Sequence, residues 1–345
     1  MYNGVKSIVM LFNVCALYIK IMNNENQTIH KSDDNLTIYG WNEKLNQLKQ
    51  ESIYSALAHG RVSIVHRTCY EVISGNGLFQ CELTGNMMYG KSDDELPCTG
   101  DWVIFQPFDE HKGIIVDRLP RERTLYRKKS GTVADKQAIA SYVDKAFIVQ
   151  SLDDNFNVRR VERFMVQIME ENISSVLVLN KADLDFDRQS VEEQIKHISS
   201  QIPVFFTSIH QLETIVRLRK SISEGETVVF VGSSGVGKSS LVNALCEKPV
   251  LLTSDISLST GKGRHTSTRR EMVLMDSSGV LIDTPGVREF GLAIDNPDSL
   301  AEVLEISDYA ESCRFKDCKH INEPGCSVIE AVNSGGLDSK VYESY

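Results

Sequence analysis

Between residues 60 and 118 five short runs rich in β-branched, aromatic and other apolar positions, RVSIVHRT, CYEVIS, LFQCELT, DWVIFQP and GIIVDRL, read as strands. Turn residues separate the runs, and Gly75-Asn76-Gly77 is a tight-hairpin signal. Five strands in this span suit a small closed barrel of the oligonucleotide-binding (OB) type, and an SH3-like barrel fits the same count. Strand number alone does not imply RNA binding.

From about residue 144 strands alternate with helices, which predicts an α/β domain with a parallel sheet. AFIVQSL, SSVLVL, PVFFTS and TVVFV read as its strands, followed by EMVLMD and GVLID. Val158, Val161, Phe164, Met165 and Ile168 recur at helical spacing and read as core packing. Ser190 with Glu193 reads as a capping box opening a further helix. At the other end, Ile8 to Ile21 is mostly apolar but short for a membrane span. No small-x-small cleavage site follows it, the next residues are Asn-rich, and Met22 offers another start. The stretch reads as an extension outside the fold, poorly ordered at its start, so a cytoplasmic protein with no membrane partner is expected.

Composition excludes little else. With 345 residues, 41% hydrophobic and 24% charged, the chain has room for two or three domains, and it is neither disordered nor fibrous. A net charge of −10 argues against a surface that grips nucleic acid everywhere. Basic residues nevertheless gather locally: Arg118, Arg121, Arg123, Arg127, Lys128 and Lys129, then Arg159, Arg160 and Arg163, then Lys262, Arg264, Arg269 and Arg270. The first group reads either as a phosphate-contacting patch or as a solvated linker.

The chemistry begins after TVVFV, where Gly232-Ser233-Ser234-Gly235-Val236-Gly237-Lys238-Ser239 fits the phosphate-loop pattern, with Ser240 next. Glycines let such a loop turn its backbone N–H groups inward above a helix N-terminus, which is what phosphates require. Lys238 is placed to reach the β- and γ-phosphates and Ser239 to ligate Mg²⁺. After SSVLVL stands Asn180-Lys181-Ala182-Asp183, at the carboxyl end of a strand, where open α/β sheets bind ligands. The Asp183 carboxylate can accept from guanine N1–H and its 2-amino group, and adenine offers neither, so GTP is expected over ATP. Asp283-Thr284-Pro285-Gly286 at the end of GVLID is placed to hold Mg²⁺ through water, with Gly286 sensing the γ-phosphate. The polar stretch from Thr253 to Arg270 fits a switch that orders around the nucleotide.

Near the C-terminus Cys313, Cys318, His320 and Cys326 stand as C-x4-C-x-H-x5-C, while Cys15, Cys69, Cys81, Cys98 and Cys246 are scattered. Three thiolates and an imidazole complete a tetrahedral Zn²⁺ shell with no open position, hence a structural metal. Reduced free cysteines beside a surface histidine are the alternative.

The order N-K-A-D, Thr207-Ser208-Ile209, phosphate loop, GRHTST, D-T-P-G is permuted relative to ordinary GTPases. With GDWV, LPRER, SLDDNFNVRRVERF and DTPGVREFG it resembles the circularly permuted, small-ribosomal-subunit-dependent GTPase A (RsgA) family of bacteria over about residues 59–345. The resemblance implies a multidomain α/β fold: an extension over 1–58, an OB-type barrel over 59–118, a basic linker over 119–143, a permuted GTPase domain over 144–295 and a zinc-binding domain over 296–345. It adds Thr207 and Ser208 to the GTP contacts. It further implies a monomeric GTPase of late 30S maturation that binds 16S rRNA and the 30S subunit with GTP and leaves after ribosome-stimulated hydrolysis, with other assembly factors as further partners. Val287, after Gly286, cannot orient the attacking water, and the resemblance points instead to His265. The family's His-Thr-Thr reads His265-Thr266-Ser267-Thr268 here, with Ser267 at the central position. Any of the three hydroxyls can serve Mg²⁺. The competing readings are an ATP-dependent enzyme and a nucleotide-gated RNA-binding factor with little turnover.

Overall fold

The computed structural model describes residues 34–88, 94–128, 136–247, 271–275, 278–283, 306–315, 318–337, 339 and 342. All fall within one unit, Asp33–Tyr345. The apolar stretch at 8–21, the Thr253–Arg270 segment and Gly286 lie outside the described residues.

Two helices that periodicity did not single out come first, α1 (Asp34–Thr37) and α2 (Glu43–Glu51). Asn42 starts α2 by accepting from the N–H of Leu45. Next come β1 (Ala58–Val65), β2 (Tyr70–Ser74), β3 (Gly77–Leu83), the short helix α3 (Gly85–Met88), β4 (Trp102–Asp109) and β5 (Lys112–Arg118). β1 pairs with both β2 and β4, and β3 pairs in parallel with β5, closing the barrel in the order 1-2-3-5-4-1. This closed Greek-key path is the OB arrangement, which settles the choice left open by strand count. Val62, Val72, Phe79, Cys81, Val103, Phe105 and Ile115 fill its interior. Trp102 and Ile104 alternate with Val103 and Phe105 yet are also buried, because Leu36, Trp41 and Leu45 of the leading helical segment cover the outer face. That cover explains the uninterrupted apolar run WVIF.

A two-stranded hairpin, β6 (Leu125–Lys128) and β7 (Lys136–Ala140), follows the barrel. Three arginines of the basic segment leading into it are bonded within the protein. Arg121 turns inward, donating to both carboxylate oxygens of the buried Asp101 and to the carbonyls of Asp94 and Leu96. Arg123 bonds the Val143 carbonyl and Asp144, and Arg127 bonds Gln137 across the hairpin.

The second half holds β8 (Lys145–Ser151), α4 (Val158–Glu170), β9 (Ser174–Asn180), α5 (Arg188–Gln194), α6 (Lys196–Ser199), β10 (Val204–Thr207), α7 (Leu212–Lys220), β11 (Thr227–Val231), α8 (Lys238–Leu245), β12 (Glu271–Met275) and β13 (Ser278–Asp283). The sheet order is 10-9-8-11-13-12, parallel except for β12. Strand residues alternate between two cores. Ile148, Leu177, Leu179, Val229, Val231 and Ile282 meet Val161, Phe164, Met165 and Ile168 of α4, the expected stripe. Phe147, Val149, Val176, Val178, Val228 and Phe230 meet Ile215 and Leu218 of α7 and Leu241, Val242 and Leu245 of α8 on the other face. One expectation is corrected: α5 is capped by Asp187, whose side chain accepts from the N–H of Ser190, so Ser190 lies inside the first turn. Asp187 stands three residues earlier and, as a carboxylate, is the stronger acceptor at a positive helix end.

β12 also pairs with barrel strand β1 at Glu271 and Ile64, joining barrel and α/β sheet into eleven continuous strands. Arg61, 1% exposed, seals the junction. It donates to the carbonyls of Tyr39, Gly100 and Tyr142 and to the Thr227 hydroxyl, and sits 5.5 Å from the Trp102 ring. Burial lowers its pKa to about 10 despite nearby Asp144, Tyr142 and Asp101, so it stays charged at neutral pH. Replacing Arg61 by alanine leaves these acceptors unpaired across four chain segments. Urea unfolding should then show a loss of about 3 to 5 kcal/mol, and a loss below about 1 kcal/mol would contradict the reading.

At the C-terminus α9 (Ser307–Ala310) and α10 (Ser327–Ser334) pack around Ile306, Cys326, Val328, Ala331 and Leu337. Among the described residues no helix is long and apolar enough to cross a membrane.

Candidate functional site

The carboxyl ends of β8, β9, β10, β11 and β13 converge on one edge, and the loops leaving them carry the chemistry. β11 is buried throughout and breaks at Gly232, where φ is +146° and a Cβ would stand 2.3 Å from the Val149 carbonyl oxygen. Only glycine permits that approach. The loop ends at Gly237, φ +94°, which opens α8 and whose missing Cβ would meet Asn180 Nδ2 at 2.3 Å. Between them Val236 is buried while Ser234 and Gly235 are exposed. Lys238 Nζ reaches back to donate to the carbonyls of Gly232 and Ser233 at 2.7 and 2.8 Å. Ser239 and Ser240 follow in the first turn, half-buried. A loop closed on its own lysine above a helix N-terminus presents backbone N–H donors and positive charge together, suited to polyphosphate.

The base motif is bonded to this loop. Asn180, 3% exposed, donates from Nδ2 to the Val236 carbonyl at 2.8 Å and accepts from the Thr207 hydroxyl at 3.2 Å. Ala182 N–H bonds the Thr207 carbonyl at 3.0 Å. Lys181 adopts a left-handed backbone, φ +61°, and pairs with Asp153 at 2.8 Å. Asp183 is exposed, standing past the end of β9 where a base would cover it. A hydrogen bond from Ser208, itself buried, depresses its pKa, with His210 and Lys181 adding to the effect. Asp183 is therefore ionised and acceptor-only, the state guanine recognition needs.

Asp283 ends β13, 2% exposed, directly opposite Glu271 on β12. Burial, Glu71 and Asp283 together raise the pKa of Glu271. Asp283 thus lies one strand from the barrel. Ser239 and Asp283 supply the hydroxyl and carboxylate oxygens that suit Mg²⁺. His265, Ser267 and Gly286 lie outside the described residues.

In the C-terminal lobe the ligand atoms of Cys313, Cys318, His320 and Cys326 all lie within 4.8 Å of one another. Cys313 Sγ is 3.8 Å from Cys326 Sγ, and His320 Nδ1 is 3.5 and 3.4 Å from those two sulfurs. Thiolates about 2.3 Å from a tetrahedral zinc stand about 3.8 Å apart, so the cluster fits Zn²⁺. His320 turns inward through a left-handed backbone, φ +58°, and its carbonyl accepts from the Tyr342 hydroxyl.

Sequence reading counted Arg160 only among the local basic residues and did not single out Asp153 or Asn155; Asp153 contacts the base motif, and Asn155 and Arg160 contact the phosphate loop. Their position just past an apolar parallel strand was the available signal.

A model of the RsgA GTPase family matches residues 118–293. The chain is 74% identical over 324 residues to the small ribosomal subunit biogenesis GTPase RsgA 1 of Bacteroides thetaiotaomicron, covering 94% of this chain and 89% of that one. It is 38% identical to the small ribosomal subunit biogenesis GTPase RsgA of Methanosarcina acetivorans, covering 94% and 88%. Among solved structures it superposes on YjeQ from Thermotoga maritima with a TM-score of 0.63 at 26% identity, over 84% of this chain and 95% of that one. YloQ, described as a circularly permuted GTPase, shares the fold at TM-score 0.60 and 22% identity, over 86% and 94%.

Proposed function

Since the chain belongs to the RsgA GTPase family, we propose that it hydrolyses GTP in the late maturation of the 30S ribosomal subunit, binding 30S rRNA with GTP and leaving after hydrolysis. The observation that carries the nucleotide reading is the bond from Asn180 to the Val236 carbonyl, which makes base motif and phosphate loop one rigid site. Gly232 to Ser240 then hold the phosphates, Asn180 to Asp183 with Thr207 and Ser208 hold the base, and Asp283 and Gly286 read the γ-phosphate. Ser239 and Asp283 would hold Mg²⁺, joined by Ser267 from the first switch, and bound there the ion would neutralise phosphate charge. Phosphoryl transfer needs little beyond positioning and charge stabilisation. Lys238 and the loop N–H groups supply the latter, and His265 orients the attacking water. Water adds to the γ-phosphorus as its bond to the GDP oxygen breaks, giving GDP and phosphate. Cys313, Cys318, His320 and Cys326 would hold a structural Zn²⁺.

The domain division is likewise our reading: extension 1–58, barrel 59–118, basic segment 119–143, GTPase domain 144–295 and zinc domain 296–345. With the phosphate loop and both switches late in the chain, D-T-P-G leads straight into the zinc lobe, so loss of the γ-phosphate can act on it directly. The test is multiple-turnover phosphate release with purified 30S, with 50S and with no ribosome, using GTP and ATP. The expected result is GTP-specific turnover raised by 30S at least about tenfold, near 1.4 kcal/mol of barrier. Equal rates with 50S, or equal use of ATP, would overturn it.

A further inference from the structure

The turn between β8 and α4 grips both halves of the nucleotide site. Asp153 accepts from Lys181 Nζ at 2.8 Å, from the Ser151 hydroxyl at 2.6 Å and from the Asn155 N–H at 3.0 Å. Burial would push this acid up, but the bonds from Lys181, Ser151 and Asn155 pull its pKa down to about 2. Two residues on, Asn155 Nδ2 donates to Ser233 Oγ of the phosphate loop at 3.1 Å. Arg160 Nη1 lies 3.0 Å from the same Oγ, 3.0 Å from Asn155 Oδ1 and 3.2 Å from the Asn155 carbonyl oxygen. The Asn155 amide cannot flip without setting its N–H₂ against the guanidinium, so its orientation is fixed. Asn157 caps α4 by accepting from the Arg160 N–H at 3.0 Å, which fixes the turn from which the arginine reaches the loop.

We propose that Arg160 is a positioning residue for nucleotide binding. Together with Asn155 it holds Ser233, and through it the backbone of the phosphate loop, in the form that accepts phosphates. Three of the six residues from Gly232 to Gly237 are glycine, and such a loop loses much backbone freedom when it closes on a ligand. Bracing it beforehand removes part of that cost and tightens binding with no contact to the ligand. None of the three acceptors is a carboxylate, so these contacts leave the guanidinium charge un-neutralised beside a loop that must hold polyanions. Asp153 ties the same turn to Lys181, so base motif and phosphate loop are held in one register. The inference rests on the GTP-site reading of residues 232–239.

The experiment compares wild type with Arg160→Ala, Arg160→Lys, Ser233→Ala and the Arg160→Ala/Ser233→Ala double variant. Fluorescent GDP binding, 30S-stimulated kcat and KM, and the melting temperature without nucleotide are read for each. Arg160→Ala should weaken GDP binding about tenfold and raise KM alike, with kcat within about twofold. Ser233→Ala should lose about fivefold, and the double variant should be no worse than Arg160→Ala, the signature of a shared interaction. Arg160→Lys keeps the charge and should recover part of the loss. The melting temperature should move by less than about 2 °C, because the brace is local. Wild-type affinity in Arg160→Ala, additive losses in the double variant, or losses matched by a general fall in melting temperature would overturn the proposal. Should Arg160→Ala not fold, unchanged affinity in both Ser233→Ala and Arg160→Lys would overturn it equally. A wild-type protein that binds no GDP would instead overturn the GTP-site reading, and this inference with it.

Discussion

Asp183→Asn is expected to weaken GTP binding at least about a hundredfold and to transfer preference to xanthosine triphosphate. The carboxylate offers two acceptors, matching the N1–H and 2-amino donors of guanine. Asparagine keeps one acceptor and turns the other position into a donor, which meets the 2-amino group N–H to N–H. Xanthine carries a carbonyl at that position and so accepts from the new amide. The effect is large because the base must cover Asp183 to bind, which leaves a mismatched polar pair desolvated. Ser208 is buried and bonds Asp183, so the substitution meets a fixed framework with little room to adapt. Competition of GTP, XTP and ATP against a fluorescent guanine nucleotide measures it. Unchanged GTP affinity in a folded variant would remove Asp183 from the site.

Removing zinc should have the other large effect, confined to the C-terminal lobe. Ile306, Cys326, Val328, Ala331 and Leu337 are the buried hydrophobic residues there among the described residues, and one of them is itself a proposed ligand. So small a core does not repay the ordering of some thirty residues without a staple, and structural zinc supplies about 10 kcal/mol or more. Cys326 also stands at the N-cap of α10, so Cys326→Ser disturbs a ligand and a helix start together. The purified protein should contain one zinc per chain. Strong chelation, or Cys326→Ser, should expose residues 306–337 to proteolysis while GDP binding, which depends on loops far earlier in the chain, persists. Protein without zinc, or a lobe equally resistant after chelation, would contradict this.

Much was legible because the local physics is strong. The phosphate loop, N-K-A-D and the cysteine cluster each demand particular residue types at short range; the first two are bonded to each other, and the four residues of the third gather on their own in the C-terminal lobe. Short β-rich runs between turn residues marked all five barrel strands, and apolar runs between helical stretches marked all six strands of the α/β sheet. Where reading failed, a competing local signal or a distant partner decided. Ser190 resembled a cap, but Asp187 lay three residues earlier with a stronger acceptor. Arg121 and Arg123 looked like part of a solvated or phosphate-facing run, and only the fold shows Asp101 and Asp144 waiting for them. The helices at 34–51 are short and weakly periodic, and what orders them is the outer face of β4.

By itself, then, the sequence determined the chemistry: which residues can cradle phosphate, select guanine and take up zinc, and in what order along the chain. Tertiary structure alone decided how these parts are coupled. It closed the barrel in the OB order, laid β12 against β1 so that barrel and GTPase sheet run on together, buried Arg61 at their seam, and set Asn155 and Arg160 on Ser233. Each of these joins residues dozens to hundreds of positions apart. Such pairings follow from the burial of whole faces, which no local pattern encodes.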